Sequence, residues 1–221
     1  MAQEHSPAQE QKRQKTIDEL CAFDDVLGRC MFKDNIPLVE LILRIVLQNP
    51  KMRVTQVRTQ VDMKRVAGAR SVCMDVVAYG VPPGDGTEDV INLEVENRLE
   101  RANPYRARYH SSTLDIENLR PGQDFEELPI TWVIFFVEKD IFGLHRAFYR
   151  VERMVLAENA QMPFRSFGDG TQILYVNCQY RDKTGKYADF ARLAEDFLQT
   201  DPEKMHFPEF AETARRFKQT V

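Results

Sequence analysis

Apolar runs along the chain predict a central β-sheet. The strongest is TWVIFFVEK, residues 131–139, because a short run rich in β-branched and aromatic side chains is typical of a buried strand. Residues 53–61 show the alternating pattern of a strand, since successive side chains of a strand point to opposite faces. Taken together, the pattern predicts strands over residues 53–61, 71–79, 90–97, 131–139, 145–153 and 172–178.

Helical periodicity and capping residues predict helices around these strands. One helix begins near Asp34-Asn35 with Pro37 in its first turn, and another begins at Asn103-Pro104 and ends before Pro121-Gly122. The first of these has an apolar stripe made by Leu38, Leu41, Ile42, Ile45 and Val46. The other helical segments are predicted over residues 17–32, 187–198 and 207–218, so the fold class is α/β.

Three carboxylates interrupt two of the apolar runs. Asp75 lies within SVCMDVVAY, residues 71–79, and Glu94 and Glu96 lie within VINLEVEN, residues 90–97. Charged side chains are rarely buried unless they are paired or bind a metal, because losing hydration without a partner costs several kcal/mol. A divalent cation would supply such a partner.

Strand geometry predicts that these acids are close together. Residues two apart share a face of a strand, so Glu94 and Glu96 point to the same side, together with Asn92. The segment between the two runs is rich in proline and glycine, which predicts an antiparallel hairpin that places Asp75 beside Glu94. The alternative is that the acids lie on the solvated face of the hairpin.

This arrangement resembles the PD-(D/E)XK nuclease superfamily, in which an acid on one strand and an acid-x-lysine on the next bind magnesium. The wider sequence resembles the PD-(D/E)XK nuclease family transposases, which are related to the recombination-promoting nucleases, along nearly all of the chain after its N-terminal tail. The blocks that carry the resemblance are FDDVLGRCMFKDNIPLVELILRIVL (23–47), GARSVCMDVVAY (68–79), INLEVEN (91–97), RARYHSS (106–112), LRPGQDFEELP (119–129), FFVEKDIFG (135–143), FGDGTQILYVN (167–177) and TDPEKM (200–205).

The resemblance implies a restriction-endonuclease-like fold with a mixed, mostly antiparallel central sheet flanked by helices. It implies one domain over residues 16–221 after a mobile tail, residues 1–15. The expected function is hydrolysis of phosphodiester bonds in DNA, with RNA left open, by a protein associated with mobile elements. Asp75 and Glu94 are the expected ligands of Mg²⁺, for which Mn²⁺ can substitute.

Glu96 departs from the family pattern, which has lysine or commonly glutamine at this position. Three clustered acids cannot all ionise cheaply without a cation. Glu96 is therefore either a further catalytic residue and metal ligand, or protonated and similar to glutamine. The third alternative is a decayed site, in which case the chain is a nuclease-fold module that binds nucleic acid or protein without cleavage.

Other residues are assigned by the resemblance. Arg106 and Tyr109 match an arginine-then-tyrosine helix and are expected to contact a substrate phosphate, although an outer helix face pairing with nearby glutamates is an equal alternative. Asp25 matches an accessory acid near the N-terminus. Helix capping by Asp24 or Asp25 explains that acid equally well.

Composition narrows these alternatives. The net charge is −4 and the pI is about 5.7, which argues against tight non-specific binding of DNA but not against a nuclease. The four cysteines contain no CxxC pair, so neither a zinc site nor a disulfide framework is predicted. No apolar run approaches the roughly 20 residues of a membrane span. We expect a cytoplasmic protein that does not enter membranes and, because many duplex-cutting enzymes pair, a homodimer.

Overall fold

Six strands form one mixed sheet in the computed structural model, which describes residues 14–63, 72–82, 87–158 and 165–220. Most of the predicted tail, residues 1–13, lies outside the described residues. The strands of the sheet are β1 (Arg53–Met63), β2 (Val72–Val81), β3 (Asp89–Glu96), β4 (Thr131–Val137), β5 (Phe148–Val151) and β8 (Thr171–Asn177). A separate ribbon pairs β6 (Met154–Val155) with β7 (Arg165–Ser166).

The sheet has the strand order β1-β2-β3-β4-β8-β5. Strands β1, β2 and β3 form an antiparallel meander, β4 and β8 then add parallel to β3, and β5 closes the edge antiparallel to β8. The prediction of a mixed sheet, antiparallel in most of its pairings, is confirmed. Strand β3 lies between the antiparallel and the parallel parts.

Helices pack on both faces of this sheet. They are α1 (Asp25–Phe32), α2 (Ile36–Val46), α3 (Pro104–Asn118), α4 (Ala188–Leu198) and α5 (Pro208–Thr220). Short 3-10 turns cover Leu99–Ala102, Phe125–Glu127 and Pro202–Lys204. The α/β class is therefore confirmed. None of the helices in the described part of the chain has the length and apolar character needed to cross a bilayer.

The helix or helical turns predicted over residues 17–32 form in two parts, residues 14–18 and α1, with turns between them at residues 19–24. One sequence prediction is wrong in its extent. The strand predicted over residues 145–153 is limited to Phe148–Val151, where it pairs with β8. In α2 the buried residues are Leu38, Val39, Ile42, Leu43 and Val46, so the predicted stripe is rotated toward the side that contacts β1 and the C-terminal helices.

The two faces of the sheet bury different cores. The larger core lies under α1, α2, α4 and α5 and includes Ile91 and Leu93 of β3. The smaller core lies under α3 and includes Ala107 and Leu114 of that helix. Strand β3 is therefore covered on both sides, and Asn92, Glu94 and Glu96 are buried beneath α3.

Phe197 of α4 is the aromatic centre of the larger core. It is fully buried, and its ring centroid lies 4.9–5.8 Å from those of Phe23, Phe136 and Phe210. A residue with this many packed neighbours leaves a cavity when it is truncated.

We expect Phe197→Ala to lower the free energy of unfolding by about 3–5 kcal/mol, because it removes buried ring surface and leaves a cavity. The matched control is Phe125→Ala, whose side chain is 79% exposed and whose loss should cost less than about 0.5 kcal/mol. Urea unfolding of both variants checks the difference. Equal losses would contradict the assigned core.

Candidate functional site

The hairpin of β2 and β3 brings Asp75 and Glu94 together, as the sequence predicted. The paired register runs from Val76–Leu93 to Gly80–Asp89. Just beyond it, the two carboxylates accept hydrogen bonds from the opposite strand. The Asp75 amide donates to Glu94 Oε1 at 3.3 Å, and the Val95 amide donates to Asp75 Oδ2 at 3.4 Å.

Arg106 joins Glu94 to Glu96. Its Nη2 lies 2.5 Å from Glu94 Oε2, and its Nη1 donates to Glu96 Oε1. Glu94 is fully buried, and Glu96 is 4% exposed. The arginine therefore provides the cationic partner that these two acids require.

The start of α3 places Arg106 over the strand. Asn103 is the N-cap residue, and its side chain accepts a hydrogen bond from the Arg106 amide at 3.0 Å, while Pro104 occupies the first turn. The cap fixes where the helix begins and hence which side chain lies above Glu94 and Glu96. Arg106 Nη1 also donates to the Arg101 carbonyl at 3.1 Å.

His110 lies one turn further along α3 and contacts the Arg106 side chain. Arg106 Nε donates to His110 Nε2 at 3.3 Å, so this ring nitrogen must accept, and the proton of the neutral ring is on Nδ1. His110 Nδ1 lies 2.9 Å from the Asn92 amide and 3.4 Å from Glu94 Oε1. The Asn92 atom nearest to this donor is Nδ2, so we assign the amide in the flipped orientation, in which its oxygen accepts from His110 Nδ1.

The cluster carries more negative than positive charge. Three carboxylates, Asp75, Glu94 and Glu96, face the single guanidinium of Arg106. Burial, and then the charge of Glu94, raise the pKa of Asp75 to about 7. Burial also raises the pKa of Glu96 above its usual value, although Arg106 opposes that shift. A proton or a second cation is needed to balance the site.

Two openings flank the cluster. A cleft of about 440 Å³ is lined by Arg106 and His110 together with Val72, Cys73, Glu100, Arg101 and Asn103. A second, smaller cavity of about 30 Å³ is lined by Asp75, Asp25 and Arg29. This small volume is enough for about one or two water molecules.

Of the remaining predicted site residues, Asp25 lies near this centre and Tyr109 lies on the same helix as Arg106. Asp25, the first residue of α1, shares the small cavity with Asp75. Its neighbour Asp24 instead accepts a hydrogen bond from the Cys21 amide at 2.8 Å. Tyr109 lies on α3 three residues after Arg106 and is 40% exposed. Arg106, which we expected to contact a phosphate, contacts the acids, and this pairing was not predicted.

The donor types suit a hard divalent cation, but their present arrangement does not form a ligand set. Carboxylate oxygens are what Mg²⁺ prefers, and Asp75 and Glu94 are adjacent. Among the described residues, however, no three His, Cys, Asp or Glu side chains are grouped to hold a metal ion. Arg106 occupies oxygens of both glutamates, so a metal would have to share or displace this contact.

Comparison with known proteins does not assign a family. No family model, curated protein or solved structure matches the chain. The resemblance to the PD-(D/E)XK nucleases therefore stays a prediction, and the site is interpreted from its own geometry.

The raised pKa of Asp75 predicts a pH-dependent stability. The folded protein keeps this proton up to about pH 7, whereas an unperturbed carboxyl releases it near 3.8. The folded state therefore binds more protons between these values, and this stabilisation is lost as the pH rises through 7.

We expect Asp75→Asn, which mimics the protonated acid, to gain stability relative to the wild type as the pH rises from about 5 to 8. Urea unfolding of both proteins in EDTA at the two pH values measures this gain. A stability difference that is the same at both pH values would show that Asp75 is already ionised at pH 5.

Proposed function

We propose that the protein is a divalent-metal-dependent nuclease that hydrolyses phosphodiester bonds in DNA. The observation that supports this most strongly is the convergence of Asp75, Glu94 and Glu96 beside a cleft that Arg101 and Arg106 line. Carboxylates for a metal next to arginines for a phosphate are what phosphodiester hydrolysis requires. The order α2, β1, β2, β3, α3 is also the expected start of a restriction-endonuclease-like core.

Asp75 and Glu94 would hold the Mg²⁺ or Mn²⁺ ion. When bound, the cation would polarise the phosphate and supply a hydroxide from water. Glu94 is fully buried and accepts a hydrogen bond from the Asp75 amide, which holds its carboxylate beside Asp75. Asp75 borders the small cavity that can hold a water, so it can orient that water or take its proton.

The arginines would bind the substrate. Arg101 is exposed at the cleft, and the Arg106 side chain is 27% exposed there. A guanidinium can donate two parallel hydrogen bonds to phosphate oxygens. Arg101 and Arg106 can therefore bind the sugar-phosphate backbone of the nucleic acid without recognising its sequence.

A second candidate function is supported by Arg106 itself. Its pairing with both glutamates neutralises charge that a metal would otherwise balance, and Glu96 stands where the nuclease pattern has lysine or glutamine. The alternative is therefore a nuclease-fold module that binds nucleic acid or protein without cleaving it.

We expect pure protein to cut plasmid or single-stranded DNA in the presence of Mg²⁺ or Mn²⁺. Asp75→Ala and Glu94→Ala should each lower the rate by about 100-fold or more, because each removes a metal ligand. The control is Glu212→Gln, an exposed acid on α5, which should cut at the wild-type rate. RNA is tested in the same assay. Wild-type inactivity on all substrates, or alanine variants that cut at the wild-type rate, would favour the binding module.

Glu96→Gln separates the alternatives for Glu96. Glutamine keeps an oxygen for Arg106 and removes one of three negative charges, so we expect cleavage to be retained or increased. Rates of metal-dependent cleavage at saturating metal measure this. A loss as large as that of Glu94→Ala would instead make Glu96 a metal ligand.

A further inference from the structure

We infer that Arg106 is a latch with two exclusive partners: the glutamates of the site when metal is absent, and a phosphate of the nucleic acid when metal is bound. The inference rests on the proposed function, because it presupposes a cation at Asp75 and Glu94. It adds that binding of the metal and binding of the nucleic acid are coupled through one side chain.

The latch is a built contact rather than a chance surface ion pair. Three nitrogens of Arg106 are engaged, toward Glu94, Glu96, His110 and the Arg101 carbonyl. Both acids are buried, and His110 is 2% exposed. The guanidinium thus bridges two buried carboxylates with one hydrogen bond to each, and breaking such a buried pair costs more than breaking a solvated one.

The metal and the arginine compete for the Glu94 carboxylate. Arg106 Nη2 lies 2.5 Å from Glu94 Oε2, and the other oxygen of Glu94 accepts from the Asp75 amide. A cation bound between Asp75 and Glu94 would need these oxygens and would repel the guanidinium at short range. Metal binding therefore weakens the hold of Glu94 on Arg106.

When it is released from the glutamates, the Arg106 side chain can enter the cleft. Its side chain is 27% exposed and lines the 440 Å³ cleft together with Arg101. In this cleft the guanidinium could donate two parallel hydrogen bonds to one phosphate, whereas in the structure it donates one to each glutamate. The metal thus prepares the phosphate site, and by linkage the nucleic acid strengthens metal binding.

Metal affinity tests the first half of the inference. In calorimetric titrations with Mn²⁺ at about pH 8, Arg106→Ala and Arg106→Gln should bind the ion about tenfold more tightly than the wild type. Arg108→Ala is the matched control, because Arg108 is exposed on the same helix and contacts the Tyr105 ring rather than the acids. This control should bind Mn²⁺ like the wild type.

Thermal unfolding shows whether the Arg106 variants still fold. Removing Arg106 leaves two buried acids without their cation, so the variants should melt at lower temperature than the wild type in EDTA. Added Mn²⁺ should raise their melting temperature by more than it raises that of the wild type, since a ligand that binds only the folded state stabilises it. Arg106→Gln, which keeps hydrogen-bonding capacity, covers the case in which the alanine variant does not fold.

Nucleic-acid affinity tests the second half. Fluorescence anisotropy with a short DNA duplex is measured in EDTA and in Ca²⁺, which replaces Mg²⁺ to slow hydrolysis. Ca²⁺ should tighten binding by the wild type about tenfold, and by Arg106→Gln about threefold or less.

The outcomes separate the two proposals. No Mn²⁺ binding by the wild type or by the Arg106 variants would overturn both the proposed function and the latch. Binding by the wild type that is equal or tighter than in the Arg106 variants would overturn the latch and leave the nuclease proposal intact. An equal effect of Ca²⁺ on DNA binding by wild type and Arg106→Gln would refute the phosphate partner.

Discussion

The charge of Glu94 has to be balanced inside the protein, because this residue is fully buried on the central strand β3. A buried carboxylate without a partner costs several kcal/mol, and breaking a buried ion pair typically costs about 3–5 kcal/mol. The protein meets this requirement with Arg106, which α3 carries over the strand. The ion pair between Arg106 and Glu94 therefore links the packing of α3 on the sheet to the assembly of the site.

The same interaction sets the chemical character of the site. Glu94 and Glu96 share one guanidinium, whereas burial and then the charge of Glu94 raise the pKa of Asp75 to about 7. A site with surplus negative charge attracts a divalent cation or a proton. Because its acids lie on two adjacent strands and not on loops, the rigid sheet keeps them in place, as precise chemistry requires.

The sequence predicted the bounds of α3 and the contact between Asp75 and Glu94, but not the pairing of the acids with Arg106. The bounds of α3 follow from the Asn103 cap, Pro104 and the Pro121-Gly122 break, which act locally. The proline- and glycine-rich segment between two apolar runs likewise predicted the hairpin in which Asp75 and Glu94 meet. The partner of the acids was missed because α3 has no marked apolar stripe and buries His110 and Ser111. Hydrophobic periodicity therefore does not show which face of α3 meets the sheet, and it does not indicate the contact of Arg106 with the two glutamates.

The most direct test of this account is an anomalous difference map from crystals of the protein soaked in Mn²⁺. We predict one strong peak between the carboxylates of Asp75 and Glu94, with the Arg106 guanidinium turned away from Glu94 and toward the cleft. A map without a peak there, with Arg106 still bound to both glutamates at saturating Mn²⁺, would contradict the account. The cluster would then be an internal ion-pair network that stabilises the fold.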